Sequence, residues 1–208
     1  MSILVLTSDT LIGTPAAGNI EYSSPIFTGT PIGTQRGIVP TQQYYRLNSA
    51  LAGANVNTAQ SIFGVGVTLS ASTVYEFEMI VAVSKSAGTT SHTFGVGFGG
   101  TASINNIGYK LNVQNPSSTS FTVVAIADYV MFVQTASNTT ITGAQTSANL
   151  FISFVTKGTV SVNAGGTFIP QYTLSAAPGG AYSTAIGSYI RIAPVGASGS
   201  NTSVGAWA

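Results

Sequence analysis

The sequence predicts an all-β protein: an extended N-terminal arm over residues 1–40, then an antiparallel β-sandwich head of the jelly-roll kind over 41–208. Three observations carry this. Short runs of β-branched and aromatic residues alternate with turn signals from about Thr41 onward. No window of ten or more residues shows helical spacing with caps. The first forty residues differ from the rest, holding four of the eight prolines and repeated Gly-Thr.

The arm reads "GTPAAGNIEYSSPIFTGTPIGTQRGIVP". Proline removes ladder donors and pushes its predecessor into extended geometry. An extended segment with short edge strands, such as Asn19 to Tyr22, is expected there. In the head, "TVYEFEMIVAV" alternates strictly. Tyr75, Phe77, Met79, Val81 and Val83 share one face, while Glu76 and Glu78 share the other, as in a half-buried antiparallel strand. "SFTVVAIADYVMFVQ" is a longer apolar run. "NLFISFVTKGTVSV" reads as two strands broken near Lys157-Gly158. "GTFIPQYTLSA" places Phe168, Pro170, Tyr172 and Leu174 on one face, and "GSYIRIAPV" supplies the last strand. Turns are expected at Ala164-Gly165-Gly166 and Pro178-Gly179-Gly180.

Only 5% of the 208 residues are charged, against about 25% in an average soluble domain. A net charge of +1 gives little colloidal repulsion, which favours a chain built into an assembly. The six cations, Arg36, Arg46, Lys85, Lys110, Lys157 and Arg191, are scattered along the sequence. A nucleic-acid footprint needs clustered cations, so nucleic acid is not expected as a partner. The absence of cysteine excludes disulfides, thiol nucleophiles and cysteine zinc sites. "MSILVLTSD" lacks the basic start and long apolar run of a signal peptide. The most apolar stretch, 13 residues from Phe121, contains Asp128 and is too short to span a bilayer.

Three features invite a chemical reading. Gly95, Gly97 and Gly100 form a G-x-G-x-x-G. A dinucleotide loop would need a helix opening at it and an acidic residue about 20 positions on. "TASINNIGYK" is a poor helix, and the next acid is Asp128. Phe94, Val96 and Phe98 instead alternate with Gly95, Gly97 and Gly99, as in a strand whose bare face lies under a close neighbour. His92, the lone histidine, has no G-x-S-x-G elbow to serve, and reads as the residue that opens that strand. Glu76 and Glu78, at i and i+2 on a strand, lie about 7 Å apart, a spacing that suits inverting glycoside hydrolysis. On an alternating strand their polar face is expected to be solvated; against a partner chain, Arg46 or Lys110 would pair with them. No catalytic, cofactor-binding or metal residue is assigned, and no ligand-binding residue stands out.

Three stretches together carry a family resemblance. "GTPAAGNIEYSSPIFTGTP" resembles a segment of bacteriophage tail-fibre and related virion proteins. "GVTLSASTVYEFEMIVAVSKSAGTTSHTFGVGFGGTA" is similar to the first strands of their globular heads, and "GSYIRIAPVGASGSNTSVGAWA" to their ending. The resemblance implies a homotrimer on the virion exterior, with the N-terminal segment intertwined below jelly-roll heads. It implies other virion proteins and host-surface glycan as partners, and it brings no catalytic residue and no cofactor. The family segment starts about a dozen residues after Met1, so a short fibre, a tail-tip piece or a capsid decoration protein is expected, with the arm as trimerisation element or virion anchor. Two other readings stay open: a carbohydrate-binding module or adhesin outside any virion, and a depolymerase using Glu76, Glu78 and Asp128.

Overall fold

The computed structural model describes residues 6–117, 129–205 and 207. Among these residues there is no helix. The N-terminal strands are β1 (Ile20–Ser23), β2 (Ile26–Ile32) and β3 (Gln35–Val39). Short strands follow: β4 (Gln43–Arg46), β5 (Leu51–Ala52), β6 (Gln60–Ser61) and β7 (Val67–Leu69). The long strands are β8 (Thr73–Ser86), β9 (Phe94–Gly99) and β10 (Ser103–Ser117). The remainder are β11 (Tyr129–Val133), β12 (Thr139–Thr140), β13 (Asn149–Ala164), β14 (Gly166–Leu174), β15 (Ser183–Thr184) and β16 (Tyr189–Ala197).

The head consists of two antiparallel sheets. The larger has eight strands and runs β11-β10-β13-β8; the far edge of β8 is shared by β16 and β15, which lead on to β4 and β5. The smaller has five and runs β12-β9-β14, with β6 and β7 sharing the far edge of β14. Successive strands cross between sheets: β8, β10 and β13 lie in the large one, β9, β12 and β14 in the small one.

The crossing follows from alternation. One face of β8 buries Tyr75, Phe77, Met79, Val81 and Val83. The facing strands bury Phe94, Val96 and Phe98 on β9, and Phe168, Tyr172 and Leu174 on β14. Rings meet across the gap: Phe77 lies 5.3 Å from Phe98 and 5.8 Å from Phe168, and Phe98 stacks on Phe168 at 4.8 Å. Such pairs add to area burial, which is the main driving force. Pro170 sits between the segments of β14 paired to β7 and to β6, where no ladder donor is required.

Two expectations change. The predicted break at Lys157-Gly158 does not occur, and β13 runs unbroken from Asn149 to Ala164. Gly158 pairs with Phe77 on one side and Tyr109 on the other. A Cβ there would lie 2.2 Å from the Gly108 carbonyl oxygen and 2.5 Å from Tyr109 Cβ. The glycine makes room for the close approach of β10 at Gly108 and Tyr109 rather than for a turn. The N-terminal segment, read as an extended arm, folds over residues 20–39 into a three-stranded antiparallel meander, β1-β2-β3. Asn19 to Tyr22 was expected to be an edge strand, and β1 occupies nearly that span. Most of the run "SFTVVAIADYVMFVQ", including Asp128, lies outside the described residues; β11 is its described part.

Phe77 is 2% exposed and touches aromatic rings of both sheets. Phe77→Ala is expected to cost about 4 kcal/mol in urea denaturation, as for other buried phenylalanines.

Candidate functional site

The glycine motif is a strand. β9 pairs with β14 from Phe94↔Leu174 to Gly99↔Ile169, and with β12 on its other edge. Phe94, Val96 and Phe98 point into the core. The glycine face lies under close neighbours: a Cβ on Gly95 would meet the Asn138 side chain at 2.5 Å, one on Gly97 the Ala136 carbonyl at 3.0 Å, and one on Gly99 the Gln171 side chain at 2.4 Å. Gly100 takes a positive φ of 115° and ends the strand in a bend, with no helix opening there. A phosphate has neither a helix N-terminus nor a free nest of amides at this point.

His92 is buried beside this strand, bridged to Gln145. Its Nδ1 lies 2.7 Å from the Thr90 carbonyl oxygen and its Nε2 2.7 Å from the Tyr182 hydroxyl. A carbonyl only accepts, so Nδ1 donates to Thr90, and the other ring nitrogen shares a hydrogen bond with the Tyr182 hydroxyl. Burial pushes the Tyr182 hydroxyl well above the usual tyrosine range, which keeps it protonated. Tyr182 packs edge-on against Phe94, and Phe94 stacks on Tyr172 at 5.1 Å. Burial raises the Tyr172 hydroxyl to about 12. The histidine is thus a hydrogen-bonded wall of an aromatic core. Among the described residues no three His, Asp or Glu side chains converge as a metal site.

The two glutamates separate in character. Glu76 is exposed. Glu78, expected in solvent, is buried, because β8 is central and its neighbours place cations directly opposite: Lys157 on β13 and Arg191 on β16. Their nitrogens lie 2.5 and 3.0 Å from the carboxylate, and the Tyr189 hydroxyl donates to it at 3.0 Å. Within the chain its partners are Lys157 and Arg191; Arg46 and Lys110 were expected to pair only against a partner chain. A carboxylate held by two cations and a phenol is committed to ion pairing, and Glu76 has no comparable set. Asp128, the third acid, lies outside the described residues.

Lys85 escapes notice in the sequence, since its alternation marks it only as one more inward position. It is 5% exposed and donates to the carbonyls of Gly88 at 2.7 Å and Ser147 at 2.6 Å, with Ala87 at 3.2 Å. Burial lowers its pKa, while the carbonyls favour the ammonium. The charge ties the β8–β9 and β12–β13 loops together.

The β1–β3 meander has two unlike faces. Glu21 and Arg36 share one, joined by a bidentate pair at 2.6 and 2.9 Å; Arg36 also donates to the Ile12 carbonyl. That face is turned toward the C-terminal segment and lines a hollow of about 380 Å³ with Ala197 and Val204. The other face carries Ile20, Tyr22, Phe27 and Val39 in paired positions, with Tyr22 stacked on Phe27 at 4.4 Å. Ile20 is 67% exposed and Val39 44%. The Trp207 ring, 80% exposed, donates only to the Val204 carbonyl and packs little against its own head. No family model, no curated protein and no solved structure matches the chain.

Two predictions come from these contacts. Gly97→Val is expected to lower stability by about 2 kcal/mol in chemical denaturation, because its branched carbons must displace backbone. The Arg36 guanidinium holds the Glu21 carboxyl below the usual carboxylate range, against a smaller opposing effect of desolvation. A depressed carboxyl stabilises fully above its unfolded pKa and loses that contribution as pH falls through the folded value. Amides of β1–β3 are therefore expected to lose hydrogen-exchange protection on acidification through that range, after correction for intrinsic rates. The Glu21→Gln variant is expected to be less protected at neutral pH and to lack this pH dependence.

Proposed function

We propose that the protein is a non-enzymatic bacteriophage virion structural protein, displayed as a homotrimer on the particle exterior, where it serves as a short tail fibre, tail-tip piece or capsid decoration. The observation that carries the assembly is the outward face of the β1–β3 meander. It holds Ile20, Tyr22, Phe27 and Val39, while the meander's two charged residues, Glu21 and Arg36, lie on the opposite side. A three-stranded sheet with a partly solvated apolar face is poorly stabilised alone, and the same face of further copies, packed together around a symmetry axis, covers it. The scarcity of charge works in the same direction, since little opposes close approach of identical chains.

The virion setting is supported by the resemblance of three segments to phage tail-fibre proteins. The jelly-roll reading is supported by the strands that pass back and forth between the two facing sheets. In this reading residues 1–40 trimerise or anchor the protein, and the head points away from the particle.

Light scattering coupled to size exclusion is expected to give three times the chain mass of 21.1 kDa. The double variant Ile20→Lys, Val39→Lys is expected to run as a monomer with its head's melting transition retained. A monomeric wild type would refute the assembly, and absence of the protein from purified particles would favour an adhesin outside any virion.

A further inference from the structure

The geometry points to the outer face of the large sheet as a binding surface for an acidic polysaccharide. Six directly paired positions form one straight row across six strands: Phe132, Lys110, Lys157, Glu78, Arg191 and Tyr44. Cations scattered through the sequence are thus brought into register. Arg46, on the same face, pairs with Tyr189 one step along β4. Four of the chain's six cations stand here against two carboxylates, Glu76 and Glu78.

Charge balance on this face is incomplete. Glu78 is saturated by Lys157 and Arg191. Lys110 is exposed and sits directly opposite Lys157, a like-charged cross-strand pair that disfavours the sheet unless an anion lies between or above them. The complement of this row is therefore an anion.

The rest of the face selects the kind of anion. An acidic peptide adding as a strand would dock on an edge, beside Phe132 of β11 or Tyr44 of β4, and would leave the cations of the inner strands β10, β13 and β16 uncovered. Nucleic acid demands neutralisation of many phosphates, beyond what four cations with two carboxylates supply. The row ends instead in aromatic rings. Tyr44 is 57% exposed and stacks on Tyr189 at 5.4 Å, and Phe132 is 69% exposed. Flat rings that flank cations match the apolar faces and carboxylates of a uronate chain lying across the strands. A monomeric head would carry the same row, so the inference does not depend on the trimer.

The test is binding of the full chain to polygalacturonate, dextran and polyglutamate by calorimetry, at low and high salt. Polygalacturonate is expected to bind at low salt and weaken as salt rises, and dextran is expected not to bind. Lys110→Glu and Tyr44→Ala are each expected to lower polygalacturonate affinity about tenfold, and Lys110→Glu, which sets opposite charges across from each other at Lys157, is expected to do so without lowering the melting temperature. Lys110 makes no ion pair among the described residues, so its substitution breaks none. Equal binding of dextran, polyglutamate binding as tight as polygalacturonate, no binding to polygalacturonate, or unchanged affinity in Lys110→Glu would each overturn the inference.

Discussion

The contact of Phe77 with Phe98 and Phe168 holds the two sheets together. Those rings belong to strands from opposite sheets, and each can reach the others only if its strand alternates in phase. A one-residue slip of β8 would send Tyr75, Phe77, Met79, Val81 and Val83 to solvent and bring Glu76 and Glu78 into the core. Register across the large sheet is therefore dictated by the core. Everything on its outer face inherits its placement from that choice, including the ion pairs of Glu78.

Glycine works as a packing residue in the same scheme. Gly158 leaves space for Gly108 and Tyr109, and Gly95, Gly97 and Gly99 let residues 136–138 and Gln171 cover β9. Each of these positions lies within a strand, where glycine is conformationally costly. The cost is offset by aromatic rings and backbone that approach more closely than a side chain would permit.

With few charges, several have a defined task. Glu21 and Arg36 clamp the meander, Glu78 sits between Lys157 and Arg191, and Lys85 gathers loop carbonyls. On the meander this leaves a surface suited to a second copy of the chain, and on the large sheet it leaves Lys110 and Tyr44 facing solvent.

The strands β8, β9, β14 and β16 were legible because a period of two is a local property, visible in "TVYEFEMIVAV" and "FGVGFG" without knowing any partner. The same logic made His92 and the glycine motif unpromising as chemistry. Local pattern failed where a residue's role depends on a distant neighbour. Gly158 looked like a breaker because the strand it accommodates, at Gly108 and Tyr109, lies some fifty positions away. Glu78 looked solvated because its cations come from β13 and β16. The proline-rich start read as extended because hairpin pairing among β1, β2 and β3 leaves no period signal in strands of four to seven residues. By itself, then, the sequence determined that the chain is β and which side of β8, β9 and β14 is buried. Only the tertiary structure decided which charges meet and which faces remain uncovered, since cross-strand neighbours are set by register, a relation between segments that no single segment contains.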